Sequence, residues 1–352
     1  MKIDLTELRN RNKYINENAL DDLIIWNYTP ECQYSKAWDE YTTICRGLIT
    51  DVEGNVIARP FRKFFNYGEE SKENLPTEKP ILYEKLDGSL GIQFYRGEDV
   101  CISTRGSFVS DQAIWATNWM KQRGLKKSDF LEGKTYLYEI LYKENRIVVS
   151  YGDREELVLL AVIDNETGEE EPYICEIEGK RLNIPYIKHI EFENIEDIIE
   201  KTKSLDGNQE GFVFHWPAVN NHRVKIKGEE YVRLHRVITG FSNKSIWDAL
   251  RTNADLSEML ERVPDEFYEW VKKTKSELFF RYLNIKLSVI SAYKKISKLE
   301  TRKEQAIEIM KSYKDISSCL FLMLDDKDIS QQIWKMIRPV YERPFTKDID
   351  EN

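Results

Sequence analysis

A chain of 352 residues in which 41% of side chains are apolar and 32% charged has enough apolar surface for one large or two ordinary domains, and two are expected. That balance excludes a disordered chain, and no run approaches the roughly 18–20 uncharged apolar residues of a membrane span. The net charge of −9 argues against a surface coated in basic residues for nucleic acid, while leaving room for a local basic face.

The opening residues, MKIDLTELRN, have no apolar signal core, so a cytoplasmic protein is expected. The cysteines (Cys32, Cys45, Cys101, Cys175, Cys319) form no CxxC pair and the four histidines have no metal-ligand spacing near them, so structural zinc is not expected and reduced thiols fit the cytoplasm. Residues 1–43 are read as padding for the domain that follows. From about residue 44 to 240 short β-rich runs lie between turn residues: ICRGLITD, VIARPFRKFF, ILYEKL, LGIQFY, VCISTR, TYLYEIL, RIVVSY, LVLLAVI, GFVFHW and RVKIKG. Helices are predicted at 110–123, with Ser110 and Asp111 as caps, and at 195–204 after Asn194. The fold class is therefore α+β with mostly antiparallel strands, over a first domain of residues 1–242.

After Asn243 the strand signal stops. Val271, Leu278, Tyr282, Ile285, Val289, Ala292 and Ile296 recur at spacings of three, four and seven, the apolar seam of one long helix. Pro264 suits its first turn, Thr301 with Glu304 forms a capping box for the next helix, and two more helices are predicted at 315–324 and 328–338. A second, all-α domain of residues 243–352 follows. Its long helix carries eight Lys/Arg between Trp270 and Lys298 against one acid, Glu277.

Within the first domain the stretch YEKLDGSLGI places Lys85 at the end of a strand, before Asp87-Gly88. One reading is a hairpin turn with an exposed lysine beside it, since Asp-Gly between strand-like runs is a common hairpin signal. The other is functional, because polar residues recur at strand ends elsewhere: Arg46, Lys63, Arg105, Glu139, Glu210, Lys225 and Lys227. In RVKIKG the period of two puts Lys225 and Lys227 on one face, and two like charges side by side on a half-buried strand cost stability unless an anion lies between them. A polyphosphate would be such an anion.

This arrangement resembles the covalent nucleotidyltransferase superfamily of ATP-dependent ligases and capping enzymes. The matches are KxDG at Lys85-Leu86-Asp87-Gly88, TRGS at 104–107, the YEI acidic motif around Glu139, EGFV at 210–213 and KIK at 225–227, in family order over roughly residues 46 to 232. Within it the chain looks most like the phage-type RNA ligases of the first kind, which mend broken tRNA. ICRGLI with Arg46, RPFRKFFN with Lys63 and Phe65, the serine of KLDGS and NRIVVSY carry that closer likeness.

The resemblance implies an antiparallel-sheet, ATP-grasp-like ligase domain and a lysyl–AMP phosphoramidate on Lys85, the catalytic set being Lys85, Asp87, Lys225 and Lys227. A lysine amine attacks only when deprotonated, which nearby cations and a metal favour. The cations Lys225 and Lys227, with the metal, are expected to depress the pKa of Lys85. Arg46 and Lys63 would hold the triphosphate, Phe65 would pack by the nucleotide, and Gly88 would let the backbone approach it. Glu139 and Glu210 are the expected contacts of Mg²⁺ or Mn²⁺, through water, and Glu139 also the ribose contact. Arg105 stands where close relatives have lysine in TKGS; the charge survives but the fork geometry differs. The implied partner is RNA with a 5′-phosphate and a 3′-hydroxyl, nicked tRNA included, with no membrane and no obligate protein partner. Lys272, Lys273, Lys275, Lys294 and Lys295 are the expected contacts to RNA phosphates, and His215, His222 and His235 are given no role.

A DNA ligase or GTP-using capping enzyme shares the KxDG chemistry but usually continues into a β-rich OB domain, whereas this chain turns helical. The motifs do not read ATP against GTP. A protein kinase is excluded by the missing Gly-rich loop, HRD and DFG. A non-catalytic RNA-binding protein on the same fold would be expected to have lost the nucleophile or its acids, and all are present.

Overall fold

The structure is a computed structural model that describes residues 1–69, 75–171, 173–254 and 265–342, without the side chains of 265, 266, 268 and 269. It has two compact units, Met1–His235 and Arg236–Asp348. The division falls inside the helix Glu229–Gly240, and the expected boundary at 242/243 lies just after that helix. The expected fold class, antiparallel sheets followed by helices, is the one observed.

Among the described residues of the first unit, thirteen strands make three sheets. They are β1 (Ile15–Leu20), β2 (Leu23–Tyr28), β3 (Arg46–Asp51), β4 (Val56–Ala58), β5 (Phe65–Asn66), β6 (Ile81–Lys85), β7 (Ser89–Arg96), β8 (Asp99–Ser103), β9 (Lys134–Leu141), β10 (Glu156–Asp164), β11 (His189–Ile190), β12 (Gly211–Trp216) and β13 (His222–Lys227). The orders are β1-β2-β3-β4, β10-β9-β7-β8 and β11-β6-β12-β13-β5, and only β13 with β5 is parallel. Residues 1–43 are more than padding: β1 and β2 pair as a hairpin and extend the first sheet, and the short helices Pro30–Ser35 and Glu40–Ile44 follow.

Why β9 lacks the usual alternation follows from where it sits. Seven of the eight residues of KTYLYEIL are buried, because the strand is covered on both faces. On one side Tyr136, Tyr138 and Ile140 pack with Ala116, Trp119 and Met120 of the helix Asp111–Gln122. On the other, Leu137 meets Ile25, Ile49 and Ala58 of the first sheet. Each such fully buried large side chain stabilises the fold by roughly 1.5–3 kcal/mol. The third sheet buries Leu82, Phe212, Phe214 and Val224 with Ile198 of the helix Ile195–Lys203.

Two runs depart from the strand expectation. RIVVSY forms no strand; its amides are used elsewhere. VIARPFRKFF yields only β4 and β5, because Pro60 cannot donate to a ladder and the chain turns there. The helix caps are as expected: Ser110 accepts from the Ala113 amide and Asn194 from that of Asp197.

The second unit contains the helices Asn243–Thr252, Asp265–Ile296, Arg302–Ser312, Ser317–Leu324 and Ser330–Met336. Of the expected seam, Val271, Leu278, Tyr282, Val289, Ala292 and Ile296 are buried and Ile285 is half-buried. Tyr282 stacks on Trp334, with ring centres 4.7 Å apart. The capping box of Thr301 and Glu304 is present. Pro264 lies outside the described residues. No helix among them is long and apolar enough to cross a membrane.

Candidate active site

The site is built from the ends of three neighbouring strands. β12 lies between β6 and β13, and its first residue, Gly211, is opposite both Lys85 and Lys227. Glu210, one residue earlier, is therefore flanked by the two lysines. Its carboxylate forks between them, Oε2 at 2.7 Å from Lys85 Nζ and Oε1 at 2.8 Å from Lys227 Nζ. The sequence placed an anion between Lys225 and Lys227; Glu210 instead joins Lys227 to Lys85, and it is only 3% exposed. Gly211 is required here, since at φ +147° a Cβ would stand 2.0 Å from the Ile226 carbonyl oxygen.

Asp87-Gly88 is not a hairpin turn. β6 belongs to the third sheet and β7 to the second, so the dipeptide carries the chain from one sheet to the other. The Asp87 carboxylate is 3% exposed and faces away from open space. Its Oδ2 accepts from the Val148 and Val149 amides, both at 2.8 Å, and its Oδ1 from the Tyr231 hydroxyl at 2.7 Å. The Asp87 amide donates to the Tyr151 hydroxyl at 2.7 Å. This is where RIVVSY spends its backbone donors, and these bonds make Asp87 an anchor of the turn that follows Lys85. Gly88 donates its amide to Glu139 Oε1 at 2.8 Å, and a Cβ there would lie 2.6 Å from the Ile140 carbonyl oxygen. Ser89 donates to Asn145 Oδ1 at 2.9 Å, and Asn145 in turn donates to the Ile140 carbonyl at 2.7 Å.

A cavity of about 220 Å³ opens beside Lys85, lined by Arg46, Gly88, Glu139, Lys225 and Lys227 and by the apolar Leu86, Leu90, Leu160, Ile187 and Val213. Lys63, Phe65 and Arg105 are not on that wall. They line an adjoining groove, which Arg46, Phe64, Lys225 and Lys227 share with the cavity. Arg105 donates to the Tyr28 hydroxyl at 3.0 Å. Arg46 and Lys225 both lie over the Phe64 ring, at 5.5 and 5.4 Å, and the buried Nη1 of Arg46 has no hydrogen-bond partner.

The electrostatics separate the lysines. Burial lowers the pKa of Lys225 to about 7, reinforced by Lys63, Arg46, Lys227 and Lys85. Burial also works against a charged Lys85, but Glu210 and Glu139 outweigh it and the pKa is raised. Without a ligand, then, the depressed lysine is Lys225, contrary to the expectation for Lys85, because the nearest group to Lys85 is an anion. Burial pushes Glu139 up to about 7 against the pull of Lys85. Asp87 is raised by burial and Glu210, against its three hydrogen bonds. Burial holds His215 neutral, with Arg223 adding to the effect.

Sequence reasoning missed Tyr151, Tyr231, Asn145 and Phe64. Tyr231 lies one helical turn after Lys227 in sequence, but nothing local marks it as reaching Asp87. No group of three or more His, Cys, Asp or Glu able to hold a metal occurs among the described residues. Glu139 and Glu210 therefore fit a divalent ion only if phosphate oxygens and water complete its shell.

A strand-end lysine beside a small mixed cavity, with carboxylates and cations converging on it, defines a nucleotidyltransferase. The family model for RNA ligase matches residues 44–231. The chain is 30% identical over 69% of its length to a candidate bifunctional polynucleotide kinase/RNA ligase of Autographa californica nuclear polyhedrosis virus, of which the match spans 38%. It is 31% identical over 73% of its length to a candidate RNA ligase of Thermovibrio ammonificans, covering 71% of that protein. An RNA ligase of Rhodothermus phage RM378 is 27% identical over 88% of this chain and 87% of its own. The chain belongs to the RNA ligase family, whose general mechanism passes through lysyl-AMP.

Proposed function

We propose that this RNA ligase draws AMP from ATP onto Lys85 and uses it to join a 5′-phosphate to a 3′-hydroxyl in RNA, nicked tRNA included. Residues 1–242 would carry the chemistry and the helical residues 243–352 the choice of RNA. The observation that carries the reading is the fork of Glu210 between Lys85 and Lys227, two lysines that line the 220 Å³ cavity.

The chemistry follows in three steps. Lys85 Nζ attacks the α-phosphorus of ATP; a P–N bond forms, the bond to pyrophosphate breaks, and the amine loses a proton. An oxygen of the RNA 5′-phosphate then attacks the same phosphorus, and the departing Lys85 amine takes a proton back. Finally a 3′-hydroxyl attacks the activated 5′-phosphate, AMP leaves and the hydroxyl proton is released. In each step charge grows on phosphate oxygens, so the residues act by positioning and by offering cations.

Arg46, whose Nη1 is buried without a partner, is prepared for a phosphate oxygen, and Lys225 regains full charge beside one. Lys85 must leave Glu210 and lose its proton before it attacks, a release that nearby cations favour and nearby anions oppose. A divalent ion held by Glu139 and Glu210 with phosphate oxygens would supply neutralisation of the leaving pyrophosphate.

The test is to incubate the protein and Lys85→Ala with Mg²⁺ and either ATP or GTP labelled at the α-phosphate, then look for label on denatured protein. ATP label on the wild type alone is expected. GTP label would move the protein to the capping enzymes, and no label from folded, AMP-free protein would overturn the reading.

A further inference from the structure

The groove beside the nucleotide cavity has a volume of about 1030 Å³. Single small ligands occupy pockets of roughly 300–1,000 Å³, so the groove lies at the top of that range while the cavity next to it, at about 220 Å³, lies below it. The groove is thus sized for more than one nucleotide unit. Among the described residues its charged lining is six cations, Lys36, Arg46, Lys63, Arg105, Lys225 and Lys227, against one carboxylate, Glu69, which is occupied by the backbone and side-chain amides of Asn66.

One wall comes from residues 28–38, which precede the segment matched by the RNA ligase model. Tyr28, Trp38 and Phe65 pack edge to face, with ring centres 5.0 and 5.7 Å apart. Trp38 is half-buried and reaches the groove, as does the exposed Lys36, held at φ +53° where the helix Pro30–Ser35 ends. The turn between them is pinned. The Ala37 amide donates to the Cys32 carbonyl at 3.0 Å, and the Ala37 carbonyl accepts from Thr42 Oγ1 at 3.1 Å and Cys32 Sγ at 3.3 Å. A backbone turn pinned before any ligand arrives loses little freedom on binding.

Cations that track phosphates beside an aromatic platform for bases are the physical requirements of a single-stranded nucleic-acid seat. We propose that the wall formed by Lys36 and Trp38 seats the first nucleotides of the 5′-phosphorylated RNA strand. Its terminal phosphate takes the place vacated by pyrophosphate near Arg46 and Lys63, and the adjacent base lies on Trp38.

This rests on the ligase reading, and the experiment separates the two. Lysyl-AMP protein is isolated free of ATP, then mixed with a 5′-phosphorylated single-stranded oligoribonucleotide, and transfer of AMP is followed against RNA concentration in one turnover. Starting from the loaded protein removes any effect on ATP binding. Trp38→Ala is expected to raise the RNA concentration for half-maximal rate about tenfold, within the range one base–aromatic stack commands, and Trp38→Phe to restore it. Lys36→Glu should raise it as well and flatten the salt dependence by about one in log–log slope. If neither Trp38→Ala nor Lys36→Glu changes the half-maximal concentration, the groove wall does not hold RNA and the inference fails. Failure to obtain any lysyl-AMP from the wild type would instead overturn the ligase reading itself.

Discussion

The two units of the chain handle charge in opposite ways. In the first, Lys85, Lys227 and Glu210 are joined at three strand ends, Asp87 is 3% exposed and Glu139 9%. In the second, Lys272, Lys273, Lys275, Lys294 and Lys295 are exposed on a helix whose opposite seam is apolar. Water screens the second set, so each charge there acts weakly and additively. In the first set low polarizability makes each group answer to its neighbours, which is how pKa values come to be shifted. The same residue type is therefore a chemical group in one unit and a surface charge in the other.

That contrast can be broken by substitution. The largest effect is expected from Glu210→Gln, which removes the anion shared by Lys85 and Lys227: labelling of Lys85 should slow by about 10²–10³-fold, the scale of losing one electrostatic partner in a closed site. Its signature is a pH profile. Labelling by the wild type should rise with pH as Lys85 deprotonates, and because Glu210 raises that pKa, the rising limb of the variant should move to lower pH. An unmoved limb would mean that Glu210 does not set the protonation of Lys85.

Next comes Asp87→Ala, which leaves the Val148 and Val149 amides and the Tyr231 hydroxyl without their acceptor. A loss of about 3 kcal/mol in unfolding free energy is expected, from roughly 1–3 kcal/mol for each buried group left unpaired, offset where water enters. Denaturant unfolding measures it, and a change below about 1 kcal/mol would show that the turn is held by other contacts.

A smaller effect sharpens the electrostatic side. Lys225 has a folded pKa near 7 against an ordinary 10.5, so from about pH 7 to 10.5 the unfolded chain binds the extra proton and stability rises with pH. Glu139 has the opposite sense, its pKa being raised from 4.5 to about 7, so stability falls across that window. Together they place a trough near neutrality. Lys225→Met should remove the upper limb in a series of melting temperatures, and pyrophosphate should fill the trough in the wild type by restoring charge to Lys225.

Least of all should follow from reversing the five exposed lysines of the long helix. RNA affinity is expected to fall several-fold at low salt with a flatter salt dependence, while labelling of Lys85 stays as it was. A loss of labelling would remove the distinction between the two units.

Local signals carried far in this chain. The caps at Ser110, Asn194 and Thr301, the seam from Val271 to Ile296 and the strand runs around Glu139, Gly211 and Lys225 were legible because hydrogen-bond ends and apolar periods depend on neighbours in sequence. The order of the five short motifs pointed to Lys85 for the same reason. RIVVSY misled because a β-branched run also suits an extended loop, and only a carboxylate 61 and 62 residues away explains where its amides go.

By itself, then, the sequence determined the elements, their succession and the residue types able to move a nucleotide. The tertiary structure decided which of them meet: that Asp87-Gly88 bridges two sheets, that Glu210 forks between Lys85 and Lys227, that Tyr231 reaches Asp87, and that residues 28–38 become a wall of the groove. Strand pairing over long separations sets those contacts, and burial sets their charges. Neither is a function of local spacing, so the lysine with the lowered pKa proved to be Lys225 and not Lys85.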